Sequence, residues 1–177
     1  ANLGAIAGRV SNSATNVGDM VFITYADGAT ASDRMIIKSD GKVGIGTTSP
    51  QSLLDIRGAA GSPGQLTLST DELTVVDGDK LGRIDFNAPS ETGTDAVLVG
   101  ASIWAEADAA FDTTTNNTEL VFATAASAAA AEQMRLTSDG KLGIGIATPS
   151  YDLHVVGDIY ATDNLRVGNT SPSKIAL

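Results

Sequence analysis

The stretch "SDGKVGIGTTSP" at residues 39–50 returns as "SDGKLGIGIATP" at residues 138–149, and the reading of this doubled phrase decides the fold. Asp-Gly between alternating apolar runs is the strongest short-range hairpin signal, because a two-residue type I′ turn needs positive φ at both central positions. Asp40-Gly41 and Asp139-Gly140 supply it. A loop of two residues pairs Ser39 with Lys42, Ile37 with Gly44 and Met35 with Gly46. In the second copy it pairs Leu136 with Gly143 and Met134 with Gly145. Each large side chain then meets a glycine, with Met35 and Ile37 on one face of the hairpin and Val43 and Ile45 on the other. Glycine weakens a strand interior and marks a place where another backbone comes close. Met35, Ile37, Gly44, Gly46, Met134, Leu136, Gly143 and Gly145 are therefore expected to pack against a neighbouring chain or strand layer.

At an offset of 99 residues, Met35 falls on Met134, Ile37 on Leu136, Ile45 on Ile144, Pro50 on Pro149 and Leu54 on Leu153. Upstream, "MVFIT" (20–24) corresponds to "LVFAT" (120–124) with a one-residue shift. The repeat predicts a first β module over 1–58, lacking a counterpart of "KLGRIDFNA" (80–88), a second over 59–157, and a connector or further element over 158–177. Pro50 and Pro149 cannot donate to a ladder and mark exits into a turn. "SLLDIRG" (52–58) and "DLHVVG" (152–157) read as strands closed by glycine. Short alternating runs predict further strands at 65–70, 73–77, 83–88, 96–107 and 119–124. The alanine-rich stretch 125–132 has high helix propensity. Its counterpart in the first copy contains a turn, so it reads as a loop with room for one helical turn.

Composition points the same way. Leu, Ile, Val and Phe make up 42 of the 177 residues, enough to fold. Alanine supplies 26 of the hydrophobic residues, only 8 residues are aromatic, and 19 glycines add backbone entropy to be lost. Thin cores are usually stabilised by disulfides, metal or association. With no cysteine and a single histidine, association is the remaining route, and no metal or cofactor is expected. The net charge of −10 opposes binding to nucleic acid or an anionic membrane, and no apolar run approaches the roughly 20 residues of a membrane span. The chain opens at Ala1 and stops at Leu177, which reads as a fragment or a processed product.

Candidate chemistry is sparse. Gly41–Thr48 matches neither spacing of a phosphate-cradling loop, and no helix pattern follows it. Glu106 and Asp108 would share a strand face if the strand continues that far, with Asp95 or Asp112 approaching, as a carboxylate pair for sugar cleavage requires, but among 21 acidic residues a solvated rim is the better reading. His154 lies where the first copy has Asp55, an outward polar position. Trp104 is read as buried against a partner chain rather than as a stacking platform for glycans. No serine has a plausible base.

At 34–58 and 133–159 the sequence resembles a recurrent module of bacteriophage tail fibres and related virion appendages. The resemblance extends to "GRIDF" (82–86), to Ala101–Ala105 and to 120–124. It implies an all-β, elongated homotrimer of repeated hairpin modules, in the form of a β-prism, a triple β-helix or β-sandwich-like units. It also implies a non-catalytic shaft or host-attachment segment on a virion tail. Partners would be other tail proteins and a host surface glycan or protein receptor. Residues 158–177 look like the stretch that precedes a self-cleaving chaperone domain in such fibres. A fibre-borne polysaccharide depolymerase and a secreted bacterial adhesin are the alternatives.

Overall fold

The structure, a computed structural model, describes residues 5–12, 17–25, 31–87, 98–126 and 128–163, with residues 5–12 and Val17 described by strand pairing alone. It comprises two compact units, Ala1–Thr67 and Leu68–Leu177. All regular structure among the described residues is β.

In the first unit β1 (Ala5–Asn12), β2 (Val17–Tyr25), β3 (Ala31–Ile37), β4 (Val43–Ile45) and β5 (Leu54–Ile56) lie side by side in chain order. Pairing is antiparallel as far as β4, and β5 runs parallel to β4. The second unit places β6 (Lys80–Asn87) before the same series: β7 (Val99–Ala107), β8 (Thr118–Thr124), β9 (Ala131–Leu136), β10 (Leu142–Ile144) and β11 (Leu153–Val155). Here too the last strand is parallel to its neighbour. Both sheets are mixed, and neither closes into a barrel. The sequence repeat is thus a topological repeat, with β6 added to the second unit.

The hairpin turn differs from the two-residue expectation. The Gly41 amide donates to the Lys38 carbonyl at 2.9 Å, the Lys38 amide donates to the Lys42 carbonyl at 2.8 Å, and Gly41 has φ +87°. This is a three-residue loop, a turn followed by a left-handed glycine. Thr137, Gly140 and Lys141 repeat it. The extra residue shifts the register by one. Ile37 therefore faces Val43, Ile36 faces Gly44 and Met35 faces Ile45, while Leu136 faces Leu142, Arg135 faces Gly143 and Met134 faces Ile144.

Because side chains alternate along a strand, that shift decides which residues share a face. Met35, Ile37, Val43 and Ile45 lie together on one face, where a two-residue loop would have split them. Rows of paired residues continue across each sheet. In the first unit one row runs Ile6, Phe22, Met35, Ile45, Ile56, and the next Gly8, Met20, Ile37, Val43, Leu54. In the second the rows are Ile84, Ile103, Phe122, Met134, Ile144, Val155 and Gly82, Ala105, Leu120, Leu136, Leu142, Leu153.

The opposite faces hold most of the burial, Ala107 at the end of β7 being the exception. Val21 (0% exposed) and Ile36 (2%) pair on the first sheet. On the second, Trp104, Val121 and Ala123 pack together with Ala130. A Cβ built on Gly44 would collide with the Thr47 carbonyl oxygen and come within 3.1 Å of the Ile36 side chain. The loop leading to β5 therefore crosses over β4 on the Ile36 side, and only a bare backbone lets it pass. Gly143 and the Ile146 carbonyl repeat the crossing. Pro50 and Pro149 are both buried within this loop, so the proline exit leads into a crossover rather than away from the sheet.

Residues 65–70 and 73–77, expected as strands, are not paired in either sheet. Residues 125, 126 and 128–130 form a loop without a helical turn, and β9 begins at Ala131. Of the C-terminal segment, 158–163 holds no strand, and 164–177 lie outside the described residues.

Candidate functional site

A sheet normally buries one face against another layer. Among the described residues no second sheet covers the two-row face of either unit, and much of it stays exposed. Met20, Ile45 and Leu54 stand exposed in the first, and Ile84, Leu120, Leu136, Ile144 and Leu153 in the second. Phe86 extends the second patch. None of the paired rows contains a charged residue, although 18% of the chain is charged. Exposed apolar patches larger than those of ordinary monomers mark interaction sites, ligand grooves or aggregation-prone surface.

Of the eight residues expected at a subunit seam, Met35, Ile37, Met134 and Leu136 lie on these apolar faces. Gly44 and Gly143 lie on the opposite side, under the crossover loops. Gly46 and Gly145 follow the strand ends with φ +73° and +72°, next to the carbonyls of Arg57 and Val156. All four glycines are accounted for by approaches within their own chain.

The opposite face of the second unit carries a charged knot. Arg135 donates through Nε to Glu132 Oε1 at 2.9 Å and through Nη2 to Glu132 Oε2 at 2.6 Å. It also pairs with Glu119, and with Glu106 at 3.3 Å. Strands β7, β8 and β9 are thereby linked through one guanidinium. Trp104 Nε1 donates to Glu106 at 2.8 Å, and Lys80 Nζ lies 5.0 Å from the Trp104 ring centre. Partial burial, and then the nearby Glu106 charge, raise the Glu132 carboxyl above its ordinary value. In the first unit the simpler counterpart is Lys38 paired with buried Asp19 at 2.7 Å.

Beside the knot lies a cleft of about 720 Å³ lined in part by Asp77, Asp108, Glu119, Arg135, Asp139 and Lys141. Its charges are largely paired internally. Asp108 accepts from Ser138 Oγ, and Asp139 meets Lys141 at 2.6 Å. β7 ends at Ala107, so Asp108 leaves the strand that carries Glu106 and the two do not continue one strand face. Asp112 accepts from the amides of Thr114 and Thr115 at 2.7 Å, which lowers its carboxyl and ties it to its own turn. Asp95 lies outside the described residues. His154 Nδ1 accepts from the Ser150 amide at 3.3 Å, inside the crossover loop. Trp104 is buried against its own sheet, which corrects the expected burial against a partner chain. The Gly41–Thr48 string is turn, strand and loop, and no helix follows it to lend its N-terminus. The knot itself was missed. Its signal was the alignment of Ile36 with Arg135 and of Asp19 with Glu119, an apolar-to-charged exchange next to a lengthened acid.

No family model matches the chain, and neither does any curated protein. Several solved structures are similar, two of them from one fibre. One is the carboxy-terminal domain of the bacteriophage T5 L-shaped tail fibre with its intramolecular chaperone domain, at 11% identity and TM-score 0.39, covering 94% of this chain and 56% of that one. The other is the carboxy-terminal domain of the same fibre, at 11% identity and TM-score 0.39, covering 89% and 78%. The chain thus spans little more than half the length of the first.

Proposed function

We propose that the chain is a structural segment of a tail fibre or similar virion appendage, assembled as an elongated homotrimer, serving as shaft or host-attachment element without catalysis. The observation that carries this reading is the uncharged apolar face found at matching positions in both units. Among the described residues each sheet keeps much of this face exposed, and a second layer from sister chains would cover both. A closed cyclic assembly would also shield free strand edges. Three copies on one virion add weak receptor contacts through effective concentration, so attachment needs no single strong site.

Sedimentation equilibrium of the purified chain tests the assembly, with a trimer expected from micromolar concentration downward. A well-folded monomer overturns it. Incubation with host capsule or lipopolysaccharide and a reducing-end assay tests the absence of catalysis, since a shaft releases no sugar.

A further inference from the structure

The two crossover loops are fastened by different chemistry. In the first unit the Gln51 amide donates to Asp55 Oδ2 at 3.0 Å and the Ser49 amide to Thr47 Oγ1 at 3.2 Å. Gln51 Nε2 donates to the Ser49 carbonyl at 3.0 Å, and Ser52 Oγ to the Leu54 carbonyl at 2.7 Å. At the offset of the repeat, Thr47, Gln51, Ser52 and Asp55 become Ile146, Ser150, Tyr151 and His154. Ile146 and Tyr151 cannot repeat the hydroxyl contacts of Thr47 and Ser52, and Ser150 is too short to repeat that of the Gln51 side chain. The contact that does recur is the one between the loop amide and the following strand: Ser150 donates to His154 Nδ1 at 3.3 Å. The ends of both loops are tied alike by main chain, through Gly46 to Arg34 and Arg57 to Ile45 in one, and Gly145 to Gln133 and Val156 to Ile144 in the other. Between those ends, an imidazole stands where the first unit has a carboxylate.

A ring nitrogen accepts only while it carries no hydrogen, and in the protonated ring both nitrogens are donors. An N–H would then point at the Ser150 N–H, and the contact would turn from attraction to repulsion. Histidine is the side chain whose ordinary charge change falls between about pH 5 and 8. Asp55 is held below the ordinary aspartate value of 3.8, by the Gln51 amide first and then, against desolvation, by Arg57, so the first loop keeps its acceptor throughout that range. Among the described residues no uncompensated positive charge stands against the ring. Arg135, beyond Gly143 on the same sheet face, is engaged with Glu106, Glu119 and Glu132, and Lys141 pairs with Asp139. Asp152, two residues before the ring, is acidic. Tyr151 meets the ring edge-on at 5.8 Å, a contact open to either charge state. We propose that His154 is a proton-operated latch, whose neutral ring fastens the crossover over β10 and whose protonated ring frees it, in the second unit alone. The contact is complete above the titration of the ring and lost as pH falls through it. Thr148, Pro149 and Ser150 line the cleft beside the charged knot, so acid releases one wall of that cleft.

Hydrogen exchange of the whole chain tests it, read as protection factors, which remove the intrinsic pH dependence of exchange. From about pH 8 to about pH 5 the Ser150 amide should lose about fivefold in protection, the worth of one ordinary hydrogen bond, while the Gln51 amide keeps its own. His154 is the chain's single histidine, so its ring protons can be followed in the same samples by NMR, and the Ser150 loss should track them. His154→Asp supplies the acceptor of the first unit and should hold Ser150 protected across the whole range. His154→Phe removes the acceptor and should leave Ser150 poorly protected at every pH. A wild-type Ser150 protection that is flat between these pH values, or one that falls equally in His154→Asp, overturns the latch.

Discussion

Ile36 in the first unit and Arg135 in the second occupy one place in the repeat. Each lies opposite the glycine at the middle of the next strand, Gly44 or Gly143, and opposite a fully buried valine, Val21 or Val121. One fold position is thus served by packing in one copy and by ion pairing in the other.

Arg135→Ala should be severely destabilising. It leaves Glu106, Glu119 and Glu132 together without their shared cation, and breaking a buried pair from one side costs about 3–5 kcal/mol. Chemical denaturation at fixed chain concentration measures it, and a loss below about 1 kcal/mol would show the knot to be solvated.

Ile36→Ala should cost about 2–5 kcal/mol through lost burial and a cavity beside Val21. Exposed Tyr160→Ala serves as the control, within about 0.5 kcal/mol of wild type.

Gly44→Ala and Gly143→Ala should each cost about 1–3 kcal/mol, since the added methyl meets the main-chain carbonyl of Thr47 or Ile146. Gly140→Ala should cost about 1–3 kcal/mol for a different reason, its left-handed φ of +83°. Crowding and strain separate in the unfolding data: with Gly143 replaced the crossover loop exchanges its amides faster, with Gly140 replaced the turn does.

Acid should loosen both hairpin turns. Asp139 is held below the ordinary aspartate value of 3.8 by hydrogen bonds from Lys141 and Thr137, and Asp40 likewise by Lys42. A carboxylate lowered by folding contributes stability above 3.8 that is lost as pH falls through its lowered value. NMR titration should give carboxyl midpoints below 3.8 for both residues, and Asp139→Asn should remove the acid-dependent exchange at Gly140 and Lys141. Ordinary midpoints would dismiss the turn contacts.

The sequence made strand content and repeat legible, because Asp-Gly, alternation and strand-ending proline are local signals. Register was not. Two-residue and three-residue loops both accept Asp-Gly, and they differ in whether the glycine amide turns back to Lys38 or Thr137, which the residue types alone do not announce. That single residue moved Met35 and Ile37 onto the same face as Val43 and Ile45, and it turned the strand glycines into clearances for the chain's own crossover. Parallel β5 and β11 were hidden for the same reason, since a proline announces an exit but not the route back. At 65–77 alternation was present and pairing absent, because a strand needs a neighbour that the described part of the chain does not supply. Arg135 stood in plain view, but its acid partners come from three strands that no spacing rule connects.

The Ile36–Arg135 exchange also bears on how two near-identical hairpins on one ribosome product avoid each other's places, since misassembly between repeats is a characteristic failure of tandem modules. Were the first hairpin to add to β8, an isoleucine would be thrust among acids meant for a guanidinium. Were the second to add to β2, a guanidinium would be stranded beside Val21. A single non-interchangeable residue makes each copy a key cut for its own lock.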